Sequence, residues 1–306
     1  MENILIESKP HKDIAVTCFG EVLWDVFGDD RRVGGAPLNV CLRLSSLGIN
    51  TQIISAVGND NLGAELINFV ESQGASIELI EQSTDKMTST VQVTLDKNGS
   101  ATYDIVKDTA WDNIKQTQAQ IDAVYSSDVF VFGSLICRNE TSHKTLLSLL
   151  EHAKFSIFDV NLRAPHYDMQ TLRSLMNKAD FIKLNDDELY EIAIAFGSPF
   201  NALEQHLEFI AEITDTQYLC VTKGSHGALL KIKDQKFYHS GYQVKVADTV
   251  GAGDSFLGSL IYQLITSKDA QHAVNFACAV GALVAQNHGA TPTLTLKEIH
   301  EFMQII

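Results

Sequence analysis

A chain of 306 residues and 33.7 kDa, with 45% hydrophobic and 20% charged residues, can bury a large core and is too apolar to be mostly disordered. Its 23 Lys and Arg against 38 Asp and Glu leave a formal charge of −15. That balance excludes wrapping nucleic acid or an anionic membrane, both of which reward clustered cations, but not a small phosphate-bearing ligand held by a few local donors.

The length admits two domains or one large α/β domain with a small appendage. The cysteines, Cys18, Cys41, Cys137, Cys220 and Cys278, show no zinc spacing. All but Cys137 sit in apolar runs, so they read as core residues of a reducing compartment. The first residues, MENILIESKPHKD, carry acids and no long apolar run, and no stretch of about 18 apolar residues follows anywhere. A cytoplasmic protein without a signal peptide is expected.

Residues 14–19, IAVTCF, form a short apolar run closed by Gly20, and residues 53–57, IISAV, form another. Both predict buried strands. Between them Pro37 opens a segment with Leu38, Leu42, Leu44 and Leu47 that stops at Gly48, a helix with a start and a stop. After Gly58, Leu62, Leu66, Phe69 and Val70 recur at helical spacing. Strand, helix, strand, helix is the rhythm of a parallel sheet covered by helices.

The rhythm changes over residues 87–106, where Val91, Val93 and Leu95 alternate with polar neighbours and DKNGS signals a turn. This predicts a hairpin with one wet face, either a small lid beside the main sheet, joined by residues 21–33, or an edge of that sheet. From residue 128 the αβ rhythm resumes with DVFVFGS, KFSIFDVN, ADFIKLN and YLCVTKG. Each run ends in polar or glycine residues, where ligands of open parallel sheets gather. Residues 229–246 read as a further meander, and two apolar helices follow, the first with Phe256, Leu257, Leu260, Ile261 and Leu264.

The sharpest local signal is DTVGAGDSF, residues 248–256. Gly251, Ala252 and Gly253 offer open backbone N–H groups just before a helix, a ready anion site, and Asp254 beside them can take a proton from an attacking hydroxyl. Local chemistry leaves a second reading open: a tight turn with Asp254 as N-cap. No Walker A loop and no G-x-G-x-x-G dinucleotide fingerprint is present.

Together with GE..WD at 20–25, GGAPLN at 34–39, AVGND near 56, DVNLR at 159–163, KLNDDE at 183–188 and TKGSHG at 222–227, this segment resembles the PfkB, or ribokinase-like, family of carbohydrate kinases, closest to its bacterial fructokinase branch. The resemblance implies a ribokinase-like three-layer α/β fold with a mostly parallel central sheet flanked by helices. It implies one kinase domain over residues 1–306, with a β lid formed by about 21–33 and 87–106. The implied reaction is ATP-dependent phosphorylation of a sugar, D-fructose to fructose 6-phosphate first.

By the same resemblance Asp254 is the general base, and Gly251, Ala252 and Gly253 form the anion hole. Arg163 is the cationic contact to the phosphates. Asp25, Gly34, Gly35, Asn39 and Asn161 bind the sugar. Lys183, Asn185, Thr222, Lys223, Gly224, Gly227, Asn275 and Asn287 attend the nucleotide. Glu188 serves Mg²⁺ through water, and Asp248, Val250 and Ala290 hold a monovalent cation, with a K⁺ requirement left open. A homodimer through the lid is the expected assembly. Trp24 reads as core filler, Arg31 and Arg32 as solvated or as partners of an acidic sugar, and Lys183 as equally free to reach solvent.

Ribose, 2-keto-3-deoxygluconate and nucleoside kinases share these motifs and stay as alternatives. A catalytically silent sugar-binding protein should lack Asp254 or the glycines before it, and both are present. A dehydrogenase is opposed by the missing fingerprint.

Overall fold

The computed structural model describes residues 4–7, 9–28, 30–95 and 101–304. The turn expected at 96–100 and the side chains of Val93 and Leu95 lie outside the described residues. In chain order the strands are β1 Ala15–Phe19, β2 Leu23–Phe27, β3 Asp30–Gly34, β4 Asn50–Gly58, β5 Ile80–Ser83, β6 Ser89–Leu95, β7 Ala101–Ile105, β8 Val129–Gly133, β9 Ser156–Asp159, β10 Phe181–Asn185, β11 Tyr218–Thr222, β12 Ala228–Ile232 and β13 Gln235–His239. The α-helices are α1 Ala36–Ser46, α2 Asn61–Ser72, α3 Gln118–Ser126, α4 Glu140–Leu150, α5 Met169–Met176, α6 Asp186–Ala195, α7 Leu203–Thr214, α8 Ala252–Thr266, α9 Ala270–Ala285 and α10 Leu296–Met303.

The main sheet runs β13-β12-β11-β10-β9-β8-β1-β4-β5. From β5 to β11 every pairing is parallel, and β12 and β13 close it as an antiparallel hairpin. Helices cover both faces, so the central strands are apolar on both sides. On one face Val16, Cys18, Ile53, Val131, Ile157 and Cys220 pack with Leu38, Leu257, Leu260, Phe276 and Ala277 from α1, α8 and α9. On the other, Ile54, Phe158, Ile182 and Leu184 meet Leu146, Leu172, Leu189 and Leu207 from α4 to α7. Phe19, Phe130, Phe132 and Phe158 form an aromatic row there, with successive centroids 6.3, 6.0 and 5.0 Å apart. This is the helix-covered parallel sheet expected from the αβ rhythm, in the three-layer form that the resemblance implied.

A second sheet, β3-β2-β6-β7, stands apart from the first. Residues 23–34 and 89–105 therefore meet in space although a helix, two strands and another helix separate them in sequence. Trp24 fastens this sheet to the body: it is buried, and its Nε1 donates to the Leu62 carbonyl at 3.0 Å. The meander expected at 229–246 ends at His239, and the chain then runs without regular structure to α8. All the parallel strands deliver their carboxyl ends to one edge. There the chain turns through Gly20–Glu21, Ser134, Asn161, Asn185 and Lys223–Gly224.

Candidate active site

The site is built on the first turn of α8. Gly251 is the N-cap, with φ 73°, so Asp254 is the third helical residue and not the cap. A Cβ on Gly251 would strike the backbone of Ala290 at about 2.5 Å, which leaves no room for another residue. Helix geometry leaves the N–H groups of this turn without intrahelical partners; the Ala252 N–H donates back to the Thr249 carbonyl at 3.2 Å, so the Gly253 and Asp254 N–H groups are the ones left to a ligand. Gly253 is open, and a Cβ there would lie 3.7 Å from Lys183 Nζ, so an ammonium stands beside the turn.

Asp254 is half-buried, and its Oδ2 accepts from Asn39 Nδ2 at 2.8 Å. Burial and the neighbouring charge of Asp159 push its carboxyl up to about 6, while Asn39, Lys183 and Arg163 work in the opposite direction. Asn39 closes the first turn of α1, four positions after Gly35, the N-cap. Gly34 and Gly35 have separate steric reasons. A Cβ on Gly34 would sit 2.3 Å from Asp25 Oδ2, and one on Gly35, at φ 117°, would sit 2.3 Å from the Glu21 carbonyl. Asp25 and Glu21 are thereby brought against the entrance of α1.

Burial lifts Asp25 to about 6 and Glu21 to about 7. Glu21 Oε1 accepts from the Ala36 N–H at 3.1 Å, and its Oε2 is buried without a partner. Arg163 is exposed, donates to the Leu162 carbonyl at 3.0 Å, and favours the ionised forms of Glu21, Asp25 and Asp254. Asn161, two residues earlier, takes a left-handed φ of 37° at the strand-end turn.

Lys183 does not reach solvent. It is buried against Asp159, with Nζ to Oδ1 at 2.9 Å, because adjacent strands β9 and β10 pair these two residues in register. Burial alone would lower the ammonium, but Asp159, Glu188 and Asp254 outweigh it and hold it above the usual lysine range. Asn185 and Glu188 close a capping box at the start of α6. Glu188 Oε2 accepts from the Asn185 N–H and Oε1 from the Leu162 N–H, both at 2.8 Å. The buried Glu188 thus also braces the turn that carries Arg163.

Among the described residues no cluster of three His, Cys, Asp or Glu side chains forms a metal cage. The donors present suit Mg²⁺ held through its waters and the phosphates: Asp159 Oδ2 is buried and unpartnered beside Glu188. Asp248 Oδ1 accepts from the Val250 N–H at 3.0 Å, and Oδ2 accepts from the Gly289 N–H at 3.3 Å and from Arg32 Nη1 at 3.0 Å. One carboxylate with the carbonyls around Val250 and Ala290 is an all-oxygen set of the kind a hard alkali ion takes.

A cavity of about 590 Å³ opens on Ala252 and Gly253. Its walls include Thr222, Gly224 and Gly227, as expected of a nucleotide loop. Lys223 belongs to the same loop, and its charge offsets part of the rise that burial gives the Cys278 thiol. Asn275 and Asn287 do not line the cavity. Gln271 donates to Asn275 Oδ1, and Asn287 donates to the Leu283 carbonyl, so both amides serve helix α9. The same helix lines the cavity one turn on, with Cys278, Gly281 and Ala282. The wall opposite comes from Tyr242, Gln243, Val244 and Val246, which carry no sequence signal beyond following a hairpin. Asp159 was missed although it opens the DVNLR motif.

A carboxylate at a helix N-terminus, a buried lysine beside the same turn and a nucleotide-sized cavity opening on it together suit an enzyme of phosphoryl transfer. The pfkB family carbohydrate kinase model matches residues 9–296, and the chain belongs to that family. Probable fructokinase-5 of Arabidopsis thaliana is 28% identical, over 91% of this chain and 94% of its own. A fructokinase of Xylella fastidiosa with bound ATP matches the fold with a TM-score of 0.84 at 22% identity, covering 95% of this chain and 98% of its own. A fructokinase of Vibrio cholerae O395 in its fructose, ADP and calcium ion bound form matches at 0.83 and 25% identity, covering 95% and 99%.

Proposed function

We propose that this carbohydrate kinase transfers the γ-phosphoryl of ATP to the terminal hydroxyl of fructose, with Asp254 as the general base. The observation that carries the reading is the Asn39–Asp254 hydrogen bond on the same helical turn whose Ala252 and Gly253 line the cavity. It aims one carboxylate at the position shared by sugar and phosphate and leaves its other oxygen to take the hydroxyl proton. The Gly253 and Asp254 N–H groups of α8 and the Lys183 ammonium face the charge that develops on the phosphoryl oxygens. Asp25 and Asn161 supply polar contacts to the sugar, and Arg163 stands where it can grip an oxyanion with two donors. Asp159 and Glu188 would hold a nucleotide-borne Mg²⁺ through its waters, and that ion would neutralise phosphate charge. Fructose is favoured because the relatives named above are fructokinases and one holds fructose.

Two structural readings belong to the same proposal. The second sheet is a lid over the sugar, and its edge strands pair the chain with a second copy. Assay of free sugars with ATP, followed by NMR of the phosphorylated product, tests the substrate. Fructose 6-phosphate is expected. A kcat/KM for ribose or 2-keto-3-deoxygluconate at least about tenfold above that for fructose overturns it. Sedimentation near twice 33.7 kDa is expected of the dimer, and a monomer at micromolar concentration overturns that part alone.

A further inference from the structure

Arg31 and Arg32 are neighbours with opposite destinations. In the β2–β3 ladder Arg31 lies opposite Val26 and Arg32 opposite Asp25. Side chains of directly opposed residues share a face of the sheet. Arg31 therefore stands on the face of Trp24, toward α2, with its guanidinium 5.1 Å from the indole centroid and paired to Glu65 of α2. Arg32 stands on the face of Asp25, over the Phe27 ring at 4.9 Å. It crosses from there to the body of the molecule, where Nη1 meets Asp248 Oδ2 at 3.0 Å.

Asp248 is the pin of the loop that leads into α8. It holds the Val250 and Gly289 N–H groups, and so fixes residues 248–251 against the Gly289–Ala290 turn on which Gly251 packs. Among the described residues Arg32 is the one side chain of the second sheet paired with this loop.

We propose that Arg32 is a positioning residue that ties the strand opposite the sugar-side Asp25 to the loop that sets the anion hole. It links the place where sugar is held to the place where the phosphoryl is received. This rests on the sugar-kinase reading for its catalytic consequence, but the tie itself is a property of the unliganded chain. The Asp248 carboxylate, a candidate ligand of a monovalent cation, is shared with a guanidinium of the second sheet. Removing that guanidinium takes the charged partner from Oδ2 and leaves it the Gly289 N–H.

Hydrogen exchange on the unliganded protein tests the tie. Arg32→Gln should speed exchange at residues 249–254 by about two- to fivefold, the scale set by a partly exposed ion pair. Asp248→Asn should speed exchange at residues 30–34 by a similar factor, because coupling is reciprocal. Arg31→Gln, on the face turned to α2, should leave residues 249–254 unchanged. Unchanged exchange at 249–254 in Arg32→Gln overturns the proposal, whatever the substrate proves to be. With fructose and ATP, Arg32→Gln should lower kcat more than it raises the KM for fructose, and Arg32→Lys should restore part of the loss. A rise in KM for fructose with kcat retained makes Arg32 a sugar contact and overturns its positioning role. Wild-type protein inert toward fructose defeats the substrate reading and leaves the exchange result to decide the tie.

Discussion

Three carboxyl groups crowd the sugar side of the site, and loss of water holds each above its ordinary pKa: Asp254 and Asp25 at about 6, Glu21 at about 7. Asp254 accepts a proton only when ionised, so kcat/KM should fall as pH drops through about 6. The charge of Asp254 raises the Asp25 carboxyl, so the limb belongs to the pair, and this repulsion should make it broader than a single ionisation. A limb placed near pH 4, or its absence, counts against Asp254 as the base. Asp254→Asn keeps the shape and the bond from Asn39 possible but removes the acceptor; kcat should fall about 10²–10⁴-fold with nucleotide affinity kept. Near-normal turnover in that variant excludes the role. Glu21 bears on stability instead. Its folded pKa is raised above the ordinary 4.5, so the folded state favours the protonated form; the stability this contributes is full below about pH 4.5 and lost as pH rises through about 7. Glu21→Gln, neutral at every pH, should therefore raise the melting temperature at pH 8, by a free energy on the order of 3 kcal/mol, and change little at pH 4.5. Equal effects at both pH values would falsify the assignment of a buried, charge-averse carboxyl.

At the scale of elements the N-terminus of α8 separates two glycines that the sequence presents as a pair. Gly253 has ordinary space for a methyl group, 3.7 Å from Lys183 Nζ, whereas Gly251 has a left-handed φ and the Ala290 backbone about 2.5 Å from any added Cβ. Gly253→Ala should leave the melting temperature within a few degrees and reduce turnover, because the methyl stands between the lysine and the phosphoryl position. Gly251→Ala should lower the melting temperature, since positive φ alone costs about 1–2 kcal/mol and the overlap adds to it. The reverse order of the two melting temperatures contradicts this geometry. GAGD in the sequence showed a turn before a helix; which glycine obeys the backbone and which faces the ligand depends on Ala290, thirty-nine positions after Gly251. Glu188 shows the same limit. Its motif was legible as a cap and as a magnesium partner, but the Leu162 N–H it holds belongs to the neighbouring strand-end turn.

At the scale of the whole molecule, the apolar runs of Val129–Gly133, Ser156–Asp159, Phe181–Asn185 and Tyr218–Thr222 were legible because strands buried on both faces leave no polar alternation. Strand order was not legible, and it decides that Lys183 pairs with Asp159. The cavity wall at 242–246 was equally hidden, since an irregular segment carries no period to read. The second sheet shows what such assembly does to motion. Its β2 strand is anchored by Trp24 to Leu62, and the start of β6 by Thr88, whose N–H and hydroxyl both donate to Asp60, at 2.9 and 2.7 Å. Strand β7 is an edge, and Arg138 reaches the Ile105 and Val106 carbonyls only at its end. A lid built this way should move at β7 and hold still at β2, the least anchored edge closing over the sugar to exclude water from the phosphoryl. Saturating fructose should therefore slow hydrogen exchange across residues 101–105 by about tenfold or more, and across residues 23–27 by much less, because closure adds protection only where local opening was cheap. Equal slowing of both strands points to a rigid sheet that closes as one body, and no change at 101–105 removes the lid from the reaction altogether.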